Sequence, residues 1–486
     1  MFQRRTDGIS QQILPKSIRI WDGTGQQTLA RPARLKKILS TLADQFSHDL
    51  PTLLGSGALE GSFADFVQLS GKNLEARTRR YNEWRSNRLK HGVWSFSTEL
   101  QSGPGPEVTV IDEAGKQRTG VNFASQDYLG LTAHDGVRAA AIEAINKYGT
   151  HIAGAPVLQG NSSLSLRLQK ALGEMVGLEH VVLFPTGWAA GYGVIAALVR
   201  DTDHVVLDQY AHNCCVQGAM AATRKVHRAR HLSTNGFVRH LRRIRAADAK
   251  NAILVVTEGI FSMDGDSPDL AALQSACREY EATLLVDVAH DLGAVGPDGT
   301  GSLGLQGLHG KVDLVVGSFS KVFASNGGFV STSSTAIREY LRPYAPSHTF
   351  SNAISPPQSA AVLMALEIVR SVEGEALRQK LHGVAQVLRE ALTAAGVVCL
   401  GKPGPIVPVL LGREALGRIM AALCFDRGVF ANLVEYPAVS VGACRFRMQV
   451  MATHTPAQAQ FAAEVTAWAY QLAKKLLAHP TSAGTA

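Results

Sequence analysis

Between about residues 135 and 335 two hydrophobic periods alternate along the chain. Apolar positions recur at helical spacing over Gly136–Lys147, Leu164–Val176 and Ala189–Leu198, and between and after them come short, nearly continuous apolar runs. Those runs are His180–Phe184, His204–Asp208, Ala252–Thr257, Thr283–Val288, Leu314–Ser318 and Gly328–Ser331. A Val/Leu run without polar alternation describes a strand covered on both faces, so the pattern predicts an α/β unit around a mostly parallel sheet. Ligands of such sheets collect beyond the carboxyl ends of the strands, which is where functional residues are sought.

The flanks read differently. Residues 1–75 form an extension of mixed character, with a helical pattern over Leu35–Phe46 and turn-rich pieces at Gly55-Ser56-Gly57 and Gly61-Ser62; no chemistry is assigned to it. A basic helix over Leu74–Leu89 follows, then a strand Glu107–Ile111 turned by Glu113-Ala114-Gly115. Beyond the sheet, a helix Pro356–Val372 leads to a smaller α+β unit with helices Leu377–Ala395 and Arg413–Arg427 and a strand Cys444–Val450. The expected division is an extension (1–75), a segment packing with the small domain (76–135), a large domain (136–375), a small C-terminal domain (376–479) and a flexible tail (480–486). No internal repeats are visible.

Composition narrows the class. Of 486 residues, 46% are hydrophobic and 18% charged, which fits a folded enzyme with a large core and excludes wholesale disorder. No apolar run approaches the roughly 18–20 residues that span a bilayer, and no signal-like apolar core follows Met1-Phe2-Gln3-Arg4-Arg5, so a cytoplasmic protein is expected. Six scattered cysteines read as reduced thiols. The net charge of +8 is concentrated in two clusters, Arg77 to Lys90 and Arg224 to Arg245. Each reads as a solvated helix face or as a landing surface for an acidic partner, such as coenzyme A phosphates or an acyl carrier protein. Nucleic acid is set aside because no reading motif accompanies the charge.

Candidate chemistry sits at the strand ends. Lys321 follows the run Leu314–Val316 in Gly317-Ser318-Phe319-Ser320-Lys321, a costly place for an ammonium unless its amine is tied to an aldehyde cofactor. Asp287 ends another strand, where an acid pairs well with a protonated pyridine nitrogen; a lysine with such an acid is the protein side of pyridoxal-phosphate chemistry. Thr186-Gly187-Trp188 opens a helix after a strand and suits a phosphate, although an ordinary strand–turn–helix junction looks the same. His212 can stack on a ring or, with Cys214 and Cys215, bind metal; adjacent cysteines are poor geometry for one zinc, and no metal is expected. His290 is either a core histidine or a ring partner. Ser262, in the loop Glu258–Asp266, offers a hydroxyl or simply a turn. Arg447 shares a strand face with Arg445 and grips a carboxylate or forms a surface ion pair.

From about Asn122 to Thr455 the chain resembles the α-oxoamine synthases. The resemblance rests on Asn122-Phe123-Ala124-Ser125-Gln126-Asp127-Tyr128-Leu129-Gly130-Leu131, Phe261–Asp266, Asp287–His290, Ser318–Lys321 with Gly327-Gly328, and Arg447 with Ala452–Pro456. It implies the aspartate-aminotransferase-like fold (fold type I) and pyridoxal 5'-phosphate as cofactor. It also implies a decarboxylative condensation of a small amino acid with an acyl thioester on coenzyme A or acyl carrier protein. Position by position, it implies an imine at Lys321, Asp287 on the ring nitrogen, His290 on the phenolic oxygen and His212 stacked on the ring. Gly187, Trp188 and Ser318 would hold the phosphate, Ser262 would lie near the ring, and Arg447 would take the substrate carboxylate. Ser351 and Asn352 match a segment that reaches the neighbouring subunit's phosphate, implying a homodimer. Pro156 and Gln126 depart from the pattern on the substrate side. An aminotransferase of the same fold and a non-catalytic partner subunit are the competing readings.

Overall fold

A computed structural model describes residues 18–21, 27–30 and 52–478. The chain opens with an antiparallel pair, β1 (Ile18–Trp21) and β2 (Gln27–Ala30). Next come β3 (Glu99–Leu100), β4 (Glu107–Ile111) and β5 (Gln117–Phe123). The central unit supplies β6 (His180–Phe184), β7 (His204–Asp208), β8 (Val226–Ala229), β9 (Ile253–Glu258), β10 (Thr283–Asp287), β11 (Leu314–Ser318) and β12 (Gly328–Thr332). The last strands are β13 (Ile406–Gly412), β14 (Val429–Val434) and β15 (Cys444–Gln449).

Strands β6 to β12 form one seven-stranded sheet in the order β6-β12-β11-β10-β9-β7-β8. Only β12 runs against its neighbours, so the expected mostly parallel sheet is present. Every residue of β9 and β11 is buried, as their unbroken apolar runs require. Side chains on the two sheet faces pack into separate clusters, one around Val255, Val286 and Val315, the other around Val205, Leu285 and Val330. Helices cover both faces. One of them, Ser163–Val176, starts from a capping box of Ser162 and Ser165 and buries Leu168, Leu172 and Val176.

The helix expected over Pro356–Val372 ends at Val369, because Ser371 caps a new helix, Val372–Ala394, by accepting a bond from the Gly374 N–H. Strands β13 and β14, and the helix Pro456–Ala478, were not expected. Pro408 made β13 look like loop, yet β13 is the edge of a six-stranded sheet ordered β13-β15-β14-β5-β4-β3, where a missing N–H is tolerated. That sheet ties residues 99–123 to the C-terminal unit through a parallel β5–β14 pair. At the join a Cβ on Gly120 would fall 2.0 Å from the Gly428 carbonyl oxygen, so the two backbones meet only because no side chain is there. The sequence-predicted helix over Leu35–Phe46 and the tail 480–486 lie outside the described residues. Among the described residues, no helix is long and apolar enough to cross a membrane.

Candidate active site

Three neighbouring strands end beside one another and build the floor of a cavity. Register pairs Asp287 of β10 with Glu258 of β9 on one side and Val316 of β11 on the other. Just beyond β11 the chain turns through Ser320 and Lys321. The resulting cavity has a volume of about 290 Å³ and is lined by, among others, Gly187, Trp188, His212, Asp287, His290, Ser318 and Lys321. Seven residues singled out from sequence, on four separate stretches of chain, therefore face one space. Cys214, Glu258, Ser320 and Asn326 line it too, and sequence reasoning gave them no role.

Burial sets the electrostatics. It lowers the Lys321 ammonium pKa, against the pull of the Asp287 and Glu258 carboxylates, so the amine gives up its proton more readily than in water. Burial and the neighbouring Asp287 push the Glu258 carboxyl well above its usual range. The His290 imidazole is held well below its usual value by burial first, then by Lys321 and Arg447, and is neutral. Asp287 Oδ1 accepts a 2.9 Å bond from the Ala289 N–H, which leaves its second oxygen for another partner.

A relay behind His290 fixes its tautomer. Gln449 donates its amide N–H to the Ala124 carbonyl at 2.9 Å, so its oxygen accepts the Tyr128 hydroxyl proton at 3.3 Å. The Tyr128 oxygen then receives the His290 Nδ1–H at 2.7 Å, and Nε2 carries a lone pair. Tyr128 was quoted only within a motif and Gln449 not at all, because these partners lie 162 and 321 residues from their mates.

The opposite end of the cavity is made for an anion. Thr186 caps the helix Gly187–Leu198 by accepting from the Ala189 N–H, and that helix end meets the Ser318 and Ser320 hydroxyls, themselves 2.8 Å apart. A Cβ on Gly187 would lie 2.5 Å from the Ser318 Cβ, so the backbone cradle exists because position 187 is glycine. Trp188 stacks on Tyr192 at 5.2 Å and stays 46% exposed at the rim. Hydroxyls and free N–H groups at one end, an acid at a strand end and a desolvated lysine between them fit a flat phosphorylated pyridine aldehyde such as pyridoxal phosphate.

His212 caps the helix Asn213–Ala222, and its Nδ1 lies 2.9 Å from the Cys214 Sγ. That contact raises the imidazole pKa, while the Cys214 thiol is lowered to about 6, mainly by the Cys215 thiol 3.9 Å away. The third group near His212 and Cys214 is Asp287 rather than Cys215; their potential ligand atoms lie within 4.8 Å of one another.

Ser262 is buried in the loop after β9 but is not part of the cavity wall, nor are Arg447, Ser351 and Asn352. Arg447 lies near enough to act on Lys321 and His290, and its buried Nε has no hydrogen-bond partner. Its neighbour on the same strand face, Arg445, instead grips Asp264 and the Met263 carbonyl. The far side of that loop is held by His231, whose ring bonds Asp208 at 2.8 Å and Asp266 at 3.2 Å. Ala353, next to Asn352, bonds the Gly154 carbonyl at 2.9 Å and so ties that segment to the Pro156 loop. All six cysteines are free thiols.

The aminotransferase class I and II family matches residues 118–465. A serine palmitoyltransferase of Sphingobacterium spiritivorum is 35% identical over 387 residues, covering 80% of this chain and 94% of the relative. An 8-amino-7-oxononanoate synthase of Geobacter metallireducens is 36% identical over 332 residues, 68% of this chain and 84% of the relative. Among solved structures, a serine palmitoyltransferase from S. paucimobilis with bound PLP–myriocin aldimine superposes with a TM-score of 0.78 at 27% identity, covering 83% of this chain and 100% of that one.

Proposed function

The chain belongs to the α-oxoamine synthases, pyridoxal-phosphate-dependent acyltransferases with the fold type I architecture, and we propose that it condenses a small amino acid with an acyl thioester, with loss of carbon dioxide, to give an α-aminoketone. The observation that carries this reading is the convergence of Lys321, Asp287, His290 and His212 on one cavity with an anion cradle at its end.

Pyridoxal phosphate, when bound, supplies an aldehyde for covalent capture of the amino acid and a ring that spreads the charge left by the departing α-proton. Gly187 at its helix end, with Ser318 and Ser320, would hold the phosphate, and the second Asp287 oxygen would accept from the ring nitrogen. His290 Nε2 would accept a hydrogen bond from the cofactor's phenol, a role its tautomer relay allows and a cationic imidazole would forbid. Lys321 Nζ, biased by burial toward its neutral form, would take the α-proton of the substrate. Arg447, whose Nε has no hydrogen-bond partner, would hold the substrate carboxylate. Cys214 occupies His212 Nδ1, so the ring is fixed and presents Nε2 to the reacting atoms.

A second copy belongs to this reading. Phe350 and Leu158, 88% and 83% exposed, flank Ser351-Asn352 and the Pro156 loop, and a partner subunit covering them would receive Ser351 and Asn352 at its own phosphate. The test is direct. Purified protein supplemented with cofactor is mixed with glycine, alanine or serine and acyl-CoA of graded length. Free thiol and a product lighter by carbon dioxide are expected. Oxo-acid formation without thiol release would identify an aminotransferase instead, and no turnover in any combination would leave the partner-subunit reading.

A further inference from the structure

Resting on the reading of an acyl thioester as second substrate, we propose that the arginine face built by β8 and the helix Thr234–Ala247 docks an acidic carrier protein that presents the acyl group. Residues 224–247 contain eight arginines and lysines and not one aspartate or glutamate. Four of the eight have internal partners: Lys225 Nζ donates to the Thr202 carbonyl, Arg245 to the carbonyls of Tyr280 and Asn251, Arg228 to the Asp208 carbonyl at 3.4 Å, and Arg242 to the Tyr280 side chain. Arg224, Arg230, Arg239 and Arg243 are exposed, and Arg228 and Arg242 remain exposed as well. Helical spacing explains the segregation: Phe237, Leu241 and Ile244 are buried against the sheet, and the arginines take the opposite side.

Neighbouring acids offset the field there only in part. Asp248 is engaged by His204 and Lys225, Asp208 is buried on His231 and also pulls on Arg228, and Glu279 pulls on Arg242, at the edge of the face. His227, among these groups, is lowered to about 4 by burial first, then by His204, His240 and Arg243. Placement points the face toward the chemistry. Arg230 follows the carboxyl end of β8, the end of the sheet that carries the cavity, and the next residue, His231, holds the loop containing Asp266. Fourteen residues of helix present a strip roughly 21 Å long. That is a footprint for an acidic protein surface rather than for the phosphates of one coenzyme A. Its one phenylalanine, Phe237, is buried, and the stretch 224–247 has no tyrosine or tryptophan to offer as a stacking platform for nucleic-acid bases.

The experiment loads one acyl chain on coenzyme A and on a fatty-acid acyl carrier protein and compares wild type with Arg239→Glu/Arg243→Glu. Expected for the double variant is a KM for acyl carrier protein raised about tenfold or more, with kcat and the acyl-CoA parameters unchanged. The wild-type KM for the carrier should also climb with salt, and Arg230→Glu should reproduce a smaller part of the effect. Equal effects on both thioesters, or no effect on either, would overturn the docking surface, as would loss of oligonucleotide binding in the same variant. Turnover of acyl-CoA with none of the carrier substrate also overturns it while leaving the synthase reading intact; turnover of neither removes that reading itself.

Discussion

Two of the places where this molecule buries charge do opposite things with it. At the junction of the N-terminal segment with the C-terminal unit, Arg88 and Arg418 close on Glu435, with Arg418 Nε 2.7 Å from the carboxylate and Arg88 Nη2 3.4 Å away. Arg418 spends its other N–H groups on the carbonyls of Leu59, Glu60 and Gly61, and the Arg88 guanidinium lies 4.7 Å from the Trp84 ring centre. In the cavity, by contrast, Lys321, Asp287, His290 and Glu258 crowd together around open volume. The first cluster is taken up by ion pairs, carbonyls and ring contacts, with only Arg88 Nε and Nη1 lacking hydrogen bonds, and holds two parts of the chain together. The second keeps perturbed groups available, which costs stability and creates reactivity.

Removing the amine should therefore separate activity from stability most sharply. Lys321→Ala is expected to lower turnover by about 10³–10⁴-fold, with a melting temperature equal to or above that of wild type because a desolvated amine is gone. A variant that kept substantial activity would mean the cavity lysine is not the group that handles the α-proton. The junction should respond in reverse. Glu435→Ala leaves two buried guanidinium groups without their shared counter-charge, a loss of about 3–5 kcal/mol. Denaturant titration reads that loss, and activity per folded molecule should persist; a collapse of kcat with unchanged stability would break the contrast.

Arg447 lies between the two behaviours, on β15 of the C-terminal sheet yet acting on the cavity. Arg447→Lys keeps the charge but loses the planar fork. The expected result is an amino-acid KM raised about 10- to 100-fold, as for one strong charged hydrogen bond, with a smaller change in kcat and none in the acyl-thioester KM. Equal effects on both substrates would place Arg447 among the structural ions instead.

What the chain discloses in advance follows the same division. The strand ends bearing Asp287 and Lys321 were readable because fully buried Val/Leu runs stop abruptly at polar residues. β8, with only two apolar residues in Val226–Ala229, and β13, interrupted by Pro408, gave no such signal. Long-range partners were invisible for another reason: nothing local says that Tyr128 will meet both His290 and Gln449. Arg88 belonged to a row of basic residues that read as a solvated face, and most of that row is exposed. It is buried only because Trp84, Trp94 and Phe96 close over it, the latter two from the segment that follows the helix.

His231 offers the finest test, since it combines both kinds of burial in one residue. Its side chain is 13% exposed and bridges Asp208 of the sheet to Asp266 of the loop. Burial alone would lower its pKa, but the two carboxylate hydrogen bonds outweigh it and raise the value from 6.5 to about 9. A group whose pKa rises on folding stabilises the fold fully below its unfolded value and loses that contribution as pH climbs through the folded one. The bridge should thus be intact at pH 6.5 and weaken between about pH 7 and 9.5, by roughly 1–2 kcal/mol after allowance for solvent screening. Measured as wild type minus His231→Asn, which cancels every other titrating group, the stability difference should shrink across that window. A difference that stays flat would mean the imidazole is neutral in its bridge, and the loop beside the cavity would then be held by ordinary hydrogen bonds instead of an ion pair like that at the Glu435 junction.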